Sequence, residues 1–189
     1  MPDGLLPAGA SRLHGSPVLN LANIVSFARI CAVPLAIWLV LREQLGAAFV
    51  VFTMAGLSDA LDGWLARRYG GSALGAMLDP VADKALLISM FVTLAAVGVL
   101  PDWLAILVVF RDVVILGGAV LLWLTGTLTR VRPLFISKVN TALQLLLVGA
   151  ALLISGFGLH LPAVMQALTI VVATSTLVSG AAYVVRTTR

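Results

Sequence analysis

Six apolar stretches alternate with short polar or turn-forming segments along the chain. Each stretch is close to the roughly 20 residues that an α-helix needs to cross a bilayer. They cover residues 23–41, 47–65, 82–100, 103–123, 139–154 and 164–185. The pattern therefore predicts an all-α integral membrane protein with six transmembrane helices.

Composition favours the same class of protein. The 189 residues are 61% hydrophobic and 11% charged, and the mean hydropathy is +1.10. A globular domain of this size cannot bury so much apolar surface, so the expected solvent is lipid. A net charge of +4 suits loops that face anionic headgroups, and the lack of basic or aromatic clusters argues against nucleic acid as a partner.

The basic residues are distributed unequally between the two sides of the predicted membrane. One side carries nine of them, namely Arg12, Arg67, Arg68, Lys84, Arg130, Arg132, Lys138, Arg186 and Arg189. The other side carries only Arg42, while Arg29 and Arg111 fall within spans. The positive-inside rule then predicts that both termini are cytoplasmic and that the chain lies in the cell inner membrane.

Two regions are expected along the chain. Residues 1–16 are rich in Gly, Pro and Ser and lack the basic-then-apolar design of a signal peptide, which predicts a mobile tail. Residues 17–189 are expected to form a single six-helix domain. No internal repeat divides this domain.

Four aspartates lie around the predicted connection between spans 2 and 3. Asp59 and Asp62 are three residues apart, and Asp79 and Asp83 are four apart, so each pair shares one helix face. An antiparallel hairpin would bring the two pairs together at the cytoplasmic side. Divalent cations would relieve the repulsion among four carboxylates, and two such ions are suited to holding a diphosphate.

Small and cationic residues accompany these aspartates. Gly63 and Gly75 leave the backbone accessible to a ligand, and the small side chain of Ala66 leaves space on the same helix face. Arg67 offers a bidentate hydrogen-bond donor to phosphate. A simpler interpretation remains open, in which the aspartates are loop charges at a membrane surface or buried ion pairs that set helix packing.

The pattern D-x2-D-G-x2-A-R followed by G-x3-D-x3-D resembles the signature of the CDP-alcohol phosphatidyltransferase family. Every position of the signature is present, from Asp59 to Asp83. The resemblance implies two divalent metal ions, Mg²⁺ or Mn²⁺, bound by the four aspartates, with Asp83 also serving as the base that deprotonates the attacking hydroxyl. It implies a homodimer, CMP as leaving group, and contacts to CDP-diacylglycerol from Asn23, Gly63, Ala66, Arg67, Ser72 and Gly75.

The predicted role of Asn23 has an alternative. Asn20, Asn23, Ser26 and Arg29 recur at intervals of three and form a polar stripe at the start of span 1. This stripe either faces lipid headgroups or, by similarity to the family's N-terminal segment, brings Asn23 to the cytidine or diphosphate.

The acceptor alcohol is predicted from the start of span 5. Arg132 and Lys138 form a cationic edge able to hold an acceptor's phosphate, although both residues also suit positive-inside anchoring. The string P-L-F-I-S-K-V-N-T-A-L-Q and the dipeptide Arg111-Asp112 resemble the CMP-forming cardiolipin synthases of this family. Phosphatidylglycerol is therefore the expected acceptor, and glycerol 3-phosphate is the alternative. Arg111 is predicted either to reach the acceptor or to pair with another span.

A cation transporter is the competing class of protein, because carboxylates inside spans also mark ion pathways. Its acidic residues should be spread through the depth of the bilayer. Here they cluster at one end of two adjacent spans, which favours the enzyme. The motif contains no Ser-His or Cys-His pair, so transfer is expected to be direct, without a covalent enzyme intermediate.

Overall fold

A computed structural model of the chain describes residues 31–69, 73–124 and 135–187, with side chains at residues 31–58, 84–118 and 135–183. These residues form six α-helices and no strand. In chain order the helices are α1 (Cys31–Leu41), α2 (Leu45–Tyr69), α3 (Ala73–Ala96), α4 (Asp102–Leu124), α5 (Phe135–Gly156) and α6 (Pro162–Thr187). The prediction of an all-α fold is confirmed, and the predicted mobile tail at residues 1–16 lies outside the described residues.

Two of the described helical segments, Phe135–Gly156 and Pro162–Tyr183, are long and apolar enough to cross a membrane. Three shorter apolar segments accompany them, namely Cys31–Leu41, Leu45–Ser58 and Lys84–Ala96. Helices α2, α4, α5 and α6 extend by one to four residues beyond both ends of the stretches that the sequence predicts. Helix α3 is displaced instead, since it begins at Ala73 rather than at residue 82 and ends at Ala96 rather than at residue 100. Hydropathy locates the apolar part of a helix, whereas backbone hydrogen bonding continues into its polar part.

Three short connections, at residues 42–44, 97–101 and 157–161, end α1, α3 and α5 in the same way. Each contains one residue in the left-handed region, namely Glu43 (φ 59°), Gly98 (φ 75°) and Gly158 (φ 66°). In each, a backbone N–H donates to the carbonyl five residues earlier: Gln44 to Leu39 (2.9 Å), Val99 to Leu94 (2.9 Å) and Leu159 to Ile154 (2.8 Å). This hydrogen bond is typical of a Schellman C-cap, and it turns the chain back within a few residues.

Helices α2 and α5 are antiparallel and come very close. The start of α2 meets the end of α5, where a Cβ built on Gly156 would lie 2.4 Å from the backbone nitrogen of Gly46. Further along, a Cβ on Gly149 would lie 3.9 Å from the ring of Phe52. Glycine at 156 therefore permits a contact between two helix backbones that no other residue would allow without a shift.

The remaining helix directions follow from contacts of Arg111. Its guanidinium bonds both Ser137 of α5 and Ser179 of α6, while Asn140 of α5 bonds Thr176 of α6. Residue numbers at the contacts therefore increase along α5 as they decrease along α6, so these two helices are antiparallel.

Helices α4 and α6 run in the same direction. A Cβ on Gly180 would lie 3.7 Å from the Arg111 side chain, and one on Gly118 would lie 3.4 Å from Tyr183. The short connection at 97–101 makes α3 antiparallel to α4, and α2 runs with α4 because both oppose α5. Consequently α2 and α3 are antiparallel, and Tyr69 and Ala73 lie at the same end of the bundle.

The bundle has two ends with different contents. We call the end with the connections at 42–44, 97–101 and 157–161 the turn end, and the end where α2 stops and α3 starts the motif end. Toward the turn end the buried residues are mainly apolar and include Val40, Phe52, Phe91, Leu94, Leu104, Val108, Leu147, Val148, Ala151 and Leu152. Toward the motif end they are mainly polar, and this polar half contains Lys84, Arg111, Asp112, Asn140, Gln144, Thr176 and Ser179.

Candidate active site

The four motif aspartates lie on two helices at matching distances from the connection between them. On α2, Asp59 is ten residues and Asp62 seven residues before Tyr69. On α3, Asp83 is ten residues and Asp79 six residues after Ala73. With a rise of about 1.5 Å per residue, both pairs lie roughly 9–15 Å from the motif end.

Because α2 and α3 are antiparallel, equal distances from the connection place the two pairs at the same depth. The helical backbone at all four positions agrees with the prediction that each pair shares a helix face. Their side chains lie outside the described residues. The convergence of four carboxylates on metal therefore stays a prediction.

The other motif residues divide into three groups. Gly63, Ala66 and Arg67 lie on α2 and Gly75 lies on α3, where only the helix itself is described. The predicted contacts at Asn23, Ser72 and Arg132 fall outside the described residues. Only Arg111 and Lys138 have described side chains.

Asp112 lies between two cations in the polar half. Its Oδ2 is 2.7 Å from Lys84 Nζ, and its Oδ1 is 2.7 Å from Arg111 Nη1. Asp112 is 2% exposed and Arg111 5% exposed. Burying charges is costly unless each is paired, so this arrangement depends on all three residues together. It also joins the middle of α3 to the middle of α4.

Arg111 connects three helices. Besides Asp112, it donates to Ser137 Oγ at 2.8 Å and to Ser179 Oγ, on α5 and α6. Of the two sequence interpretations, pairing with other spans is therefore present in the structure. Contact with the acceptor stays a prediction for Arg111, as it does for Lys138, whose side chain is exposed near the start of α5.

A second polar group lies beside this network. Asn140 Oδ1 accepts hydrogen bonds from Ser175 Oγ at 2.7 Å and from Thr176 Oγ1 at 3.0 Å. Asn140 Nδ2 and both polar atoms of Gln144 are buried and have no hydrogen-bond partner in the part of the chain that the structure describes. Buried polar atoms are rarely left unpaired, so these three are unusual.

The sequence pattern does not predict the pairing of Lys84 with Asp112. The positive-inside pattern assigns Lys84 to the cytoplasmic side, but Lys84 lies 11 residues after Ala73 and 12 before Ala96, in the middle of α3. The available signal was the presence of ionisable residues inside apolar stretches, because such residues usually pair with one another. Sequence alone does not show which residues pair.

The donor set fits divalent cations. Carboxylate oxygens are the preferred ligands of Mg²⁺ and Mn²⁺, and the two aspartate pairs lie at one depth on antiparallel helices. Elsewhere, among the residues whose side chains are described, no group of three or more His, Cys, Asp or Glu residues could hold a metal ion. The predicted metal site therefore rests on the aspartates of α2 and α3.

Comparison with known proteins identifies the family. The profile of the CDP-alcohol phosphatidyltransferases matches residues 19–185, which include all six helices almost to their ends. The chain belongs to the CDP-alcohol phosphatidyltransferase family.

Relatives with curated names differ in the acceptor that their names imply. A rice protein named CDP-diacylglycerol–glycerol-3-phosphate 3-phosphatidyltransferase 1, chloroplastic, is 40% identical over 74% of this chain and 48% of its own length. Human cardiolipin synthase (CMP-forming) is 37% identical over 77% of this chain and 54% of its own length. The chain thus spans about half the length of these relatives. A probable phosphatidylglycerophosphate synthase of Mycobacterium tuberculosis is 32% identical over 91% of the chain and 83% of its own length.

Proposed function

We propose that this protein transfers a phosphatidyl group from CDP-diacylglycerol to phosphatidylglycerol, giving cardiolipin and CMP. The observation that carries the proposal is the complete aspartate signature on two antiparallel helices of a member of this family. The two pairs of aspartates lie at equal depth, as a shared metal site requires. A cation transporter would not need this arrangement.

Asp59, Asp62, Asp79 and Asp83 would hold two divalent ions, Mg²⁺ or Mn²⁺. When bound, such ions neutralise the charge of a diphosphate and stabilise the charge that develops at phosphorus. Asp83 accepts the proton of the acceptor hydroxyl. The acceptor oxygen then bonds to the β-phosphorus of CDP-diacylglycerol, and the bond from that phosphorus to the bridging oxygen breaks, releasing CMP. Arg67 binds phosphate oxygens.

The choice of phosphatidylglycerol draws on the charges in the polar half. The cations of Lys84 and Arg111 both pair with Asp112. This pairing leaves the exposed Lys138, together with Arg132, as the cationic edge proposed for the acceptor. A phosphodiester carries one negative charge and needs fewer cations than the phosphomonoester of glycerol 3-phosphate. The names of the rice and mycobacterial relatives keep glycerol 3-phosphate as the second candidate.

We further propose that all six helices span the cell inner membrane, with both termini and the motif end on the cytoplasmic side. Eight of the twelve basic residues then lie on that side, without Lys84, which lies in the middle of α3; this distribution agrees with the positive-inside rule. The six helices would form one domain over residues 17–189, working as a homodimer.

The test uses the purified full chain with labelled CDP-diacylglycerol, a divalent metal, and either phosphatidylglycerol or glycerol 3-phosphate. Cardiolipin and CMP should form with phosphatidylglycerol. Product with glycerol 3-phosphate alone would make the protein a phosphatidylglycerophosphate synthase and leave the proposed donor and metal site intact. Trapping a phosphatidyl-enzyme adduct would contradict direct transfer.

A further inference from the structure

Gln144 is an uncharged polar residue whose burial has no compensation in the structure. It is 0% exposed, and neither Oε1 nor Nε2 has a hydrogen-bond partner among the residues whose side chains are described. Asn140, one helical turn earlier and also 0% exposed, has an unpaired Nδ2. Leaving such groups unpaired in the interior is energetically costly. Three unpaired atoms in one place indicate that something else satisfies them.

The orientation of the Asn140 amide is fixed by α6. Its Oδ1 accepts from Ser175 and Thr176, so the unpaired Nδ2 is directed away from these two hydroxyls. Asn140 and Gln144 are four residues apart and therefore lie on the same face of α5. Together they present two donor groups and one acceptor group, all uncharged.

These amides lie at the depth of the first aspartate pair. Measured from the contact of Phe52 with Gly149, Gln144 lies five residues and Asn140 nine residues toward the motif end along α5. On antiparallel α2 the aspartates at positions 59 and 62 lie seven and ten residues from the same contact. At about 1.5 Å per residue, the two sets overlap in depth.

We propose that Asn140 and Gln144 form a subsite that binds the hydroxyl groups of the acceptor alcohol. The inference rests on the proposed function and deepens it by naming residues that recognise the alcohol rather than its phosphate. A carboxamide both donates and accepts hydrogen bonds, which matches a hydroxyl group. Both candidate acceptors carry a glycerol unit with two free hydroxyls, so this subsite serves either one.

Gln144→Met tests this assignment, because it keeps the length of the side chain and removes its polar atoms. The control is Gln166→Met, the same exchange at an exposed position of α6. Binding of phosphatidylglycerol to the full chain is compared with binding of phosphatidylethanol, which has the same phosphodiester but no headgroup hydroxyl. Gln144→Met should weaken phosphatidylglycerol binding about tenfold, the effect of losing two hydrogen bonds, and leave phosphatidylethanol binding unchanged.

Two further measurements separate recognition from a structural role. In turnover, Gln144→Met should raise the KM for the acceptor about tenfold and change the KM for CDP-diacylglycerol less than about twofold. Its thermal midpoint without lipid should rise by about 2–4 °C, because an unpaired amide has been replaced by an apolar group. A structural amide, satisfied by buried water, would instead give a lower midpoint and unchanged discrimination between the two lipids.

The outcomes also distinguish this inference from the proposed function. If the unsubstituted protein transfers to neither alcohol, the proposed function is wrong, and the lipid-binding comparison still decides the subsite. If transfer occurs but Gln144→Met weakens the binding of both lipids equally, or of neither, the proposed subsite is wrong and the proposed reaction stands. Gln166→Met should behave like the unsubstituted protein throughout.

Discussion

The two halves of this bundle are built from the same helices but by different interactions. Toward the turn end, the core consists of aliphatic and aromatic side chains, the backbones of α2 and α5 meet at glycine, and three capped turns reverse the chain. Toward the motif end, the same helices bury an ion-paired aspartate, two amides and several hydroxyls. The change from apolar to polar occurs on α3, α4, α5 and α6 within about two helical turns.

The difference shows how stability and chemistry are separated along one bundle. Apolar side chains have no hydrogen-bonding groups that need a partner, so the turn-end half needs no ligand. In the polar half, the charge of Asp112 is paired with two cations, whereas Asn140 Nδ2 and both polar atoms of Gln144 have no partner among the described side chains. Functional sites commonly contain such destabilising polar groups, and favourable packing elsewhere in the structure offsets their cost. Substitutions of the motif aspartates and of the amides should therefore change activity or binding, whereas substitutions in the apolar half and at the ion pairs of Asp112 should change stability.

The largest effect is expected from the motif aspartates. Asp59→Ala, Asp62→Ala or Asp79→Ala should abolish transfer because each removes a proposed metal ligand. Asp83→Asn should retain some metal but lower turnover by about 10²–10⁴-fold, because an amide cannot accept the hydroxyl proton. Initial rates with saturating CDP-diacylglycerol and Mg²⁺ or Mn²⁺ measure both effects.

The control for these variants is their thermal midpoint in detergent. It should not fall, because four carboxylates that converge as proposed would repel one another, and each substitution would relieve part of that repulsion. Full turnover in excess chelator would contradict the two-metal proposal.

The second largest effect is expected from Asp112, which connects α3 and α4 through Lys84 and Arg111. Asp112→Ala leaves a buried guanidinium without its counter-charge, so it should destabilise the protein by about 3–5 kcal/mol. Denaturant or thermal unfolding in detergent measures the change. Asp102→Ala, at the exposed start of the same helix, is the matched control and should cost no more than about 1 kcal/mol. Equal effects of the two variants would show that the ion pairs contribute nothing specific.

A smaller effect is expected at the α2–α5 contact in the apolar half. Gly156→Ala puts a Cβ 2.4 Å from the backbone nitrogen of Gly46, so the helices must separate, at a cost of about 1–3 kcal/mol. Gly117→Ala on α4 has no atom within 4 Å of its Cβ and should stabilise the protein by up to about 1 kcal/mol. Unfolding measurements on the pair test the packing, and a Gly156→Ala protein as stable as the parent would contradict the close approach.

The smallest effect is expected at the edge of the polar half. Lys138→Gln should raise the concentration of phosphatidylglycerol needed for half-maximal rate by up to about fivefold, as an exposed charge contributes at most about 1 kcal/mol. The requirement for CDP-diacylglycerol should change less. Arg42→Gln, an exposed cation at the turn end whose guanidinium lies 5.7 Å from the Trp38 ring centroid, is the control and should alter neither requirement. If Lys138→Gln raised the requirement for CDP-diacylglycerol more than the requirement for phosphatidylglycerol, Lys138 would belong to the donor site.

The all-helical fold and the family could be predicted from the sequence. Helix existence follows from long apolar stretches, and the aspartate signature is local, since its eight positions occupy only 25 residues of α2, the connection and α3. Helix ends were less accurate, and α3 shows why. Its first turns include Gly75, Asp79 and Pro80, which lower the hydropathy without ending the helix.

The amino-acid sequence by itself predicted which residues would bind metal and determined roughly where the helices lie, because both depend on spacing along one or two neighbouring segments. The tertiary structure alone decided the partners of the buried polar residues. Lys84 and Asp112 are 28 positions apart, and Arg111 and Ser179 are 68 apart. Such pairs depend on how helices are ordered and rotated around one another, which hydropathy and local spacing do not specify. For the same reason the unpaired amides at 140 and 144 became visible only once every neighbouring helix was in place.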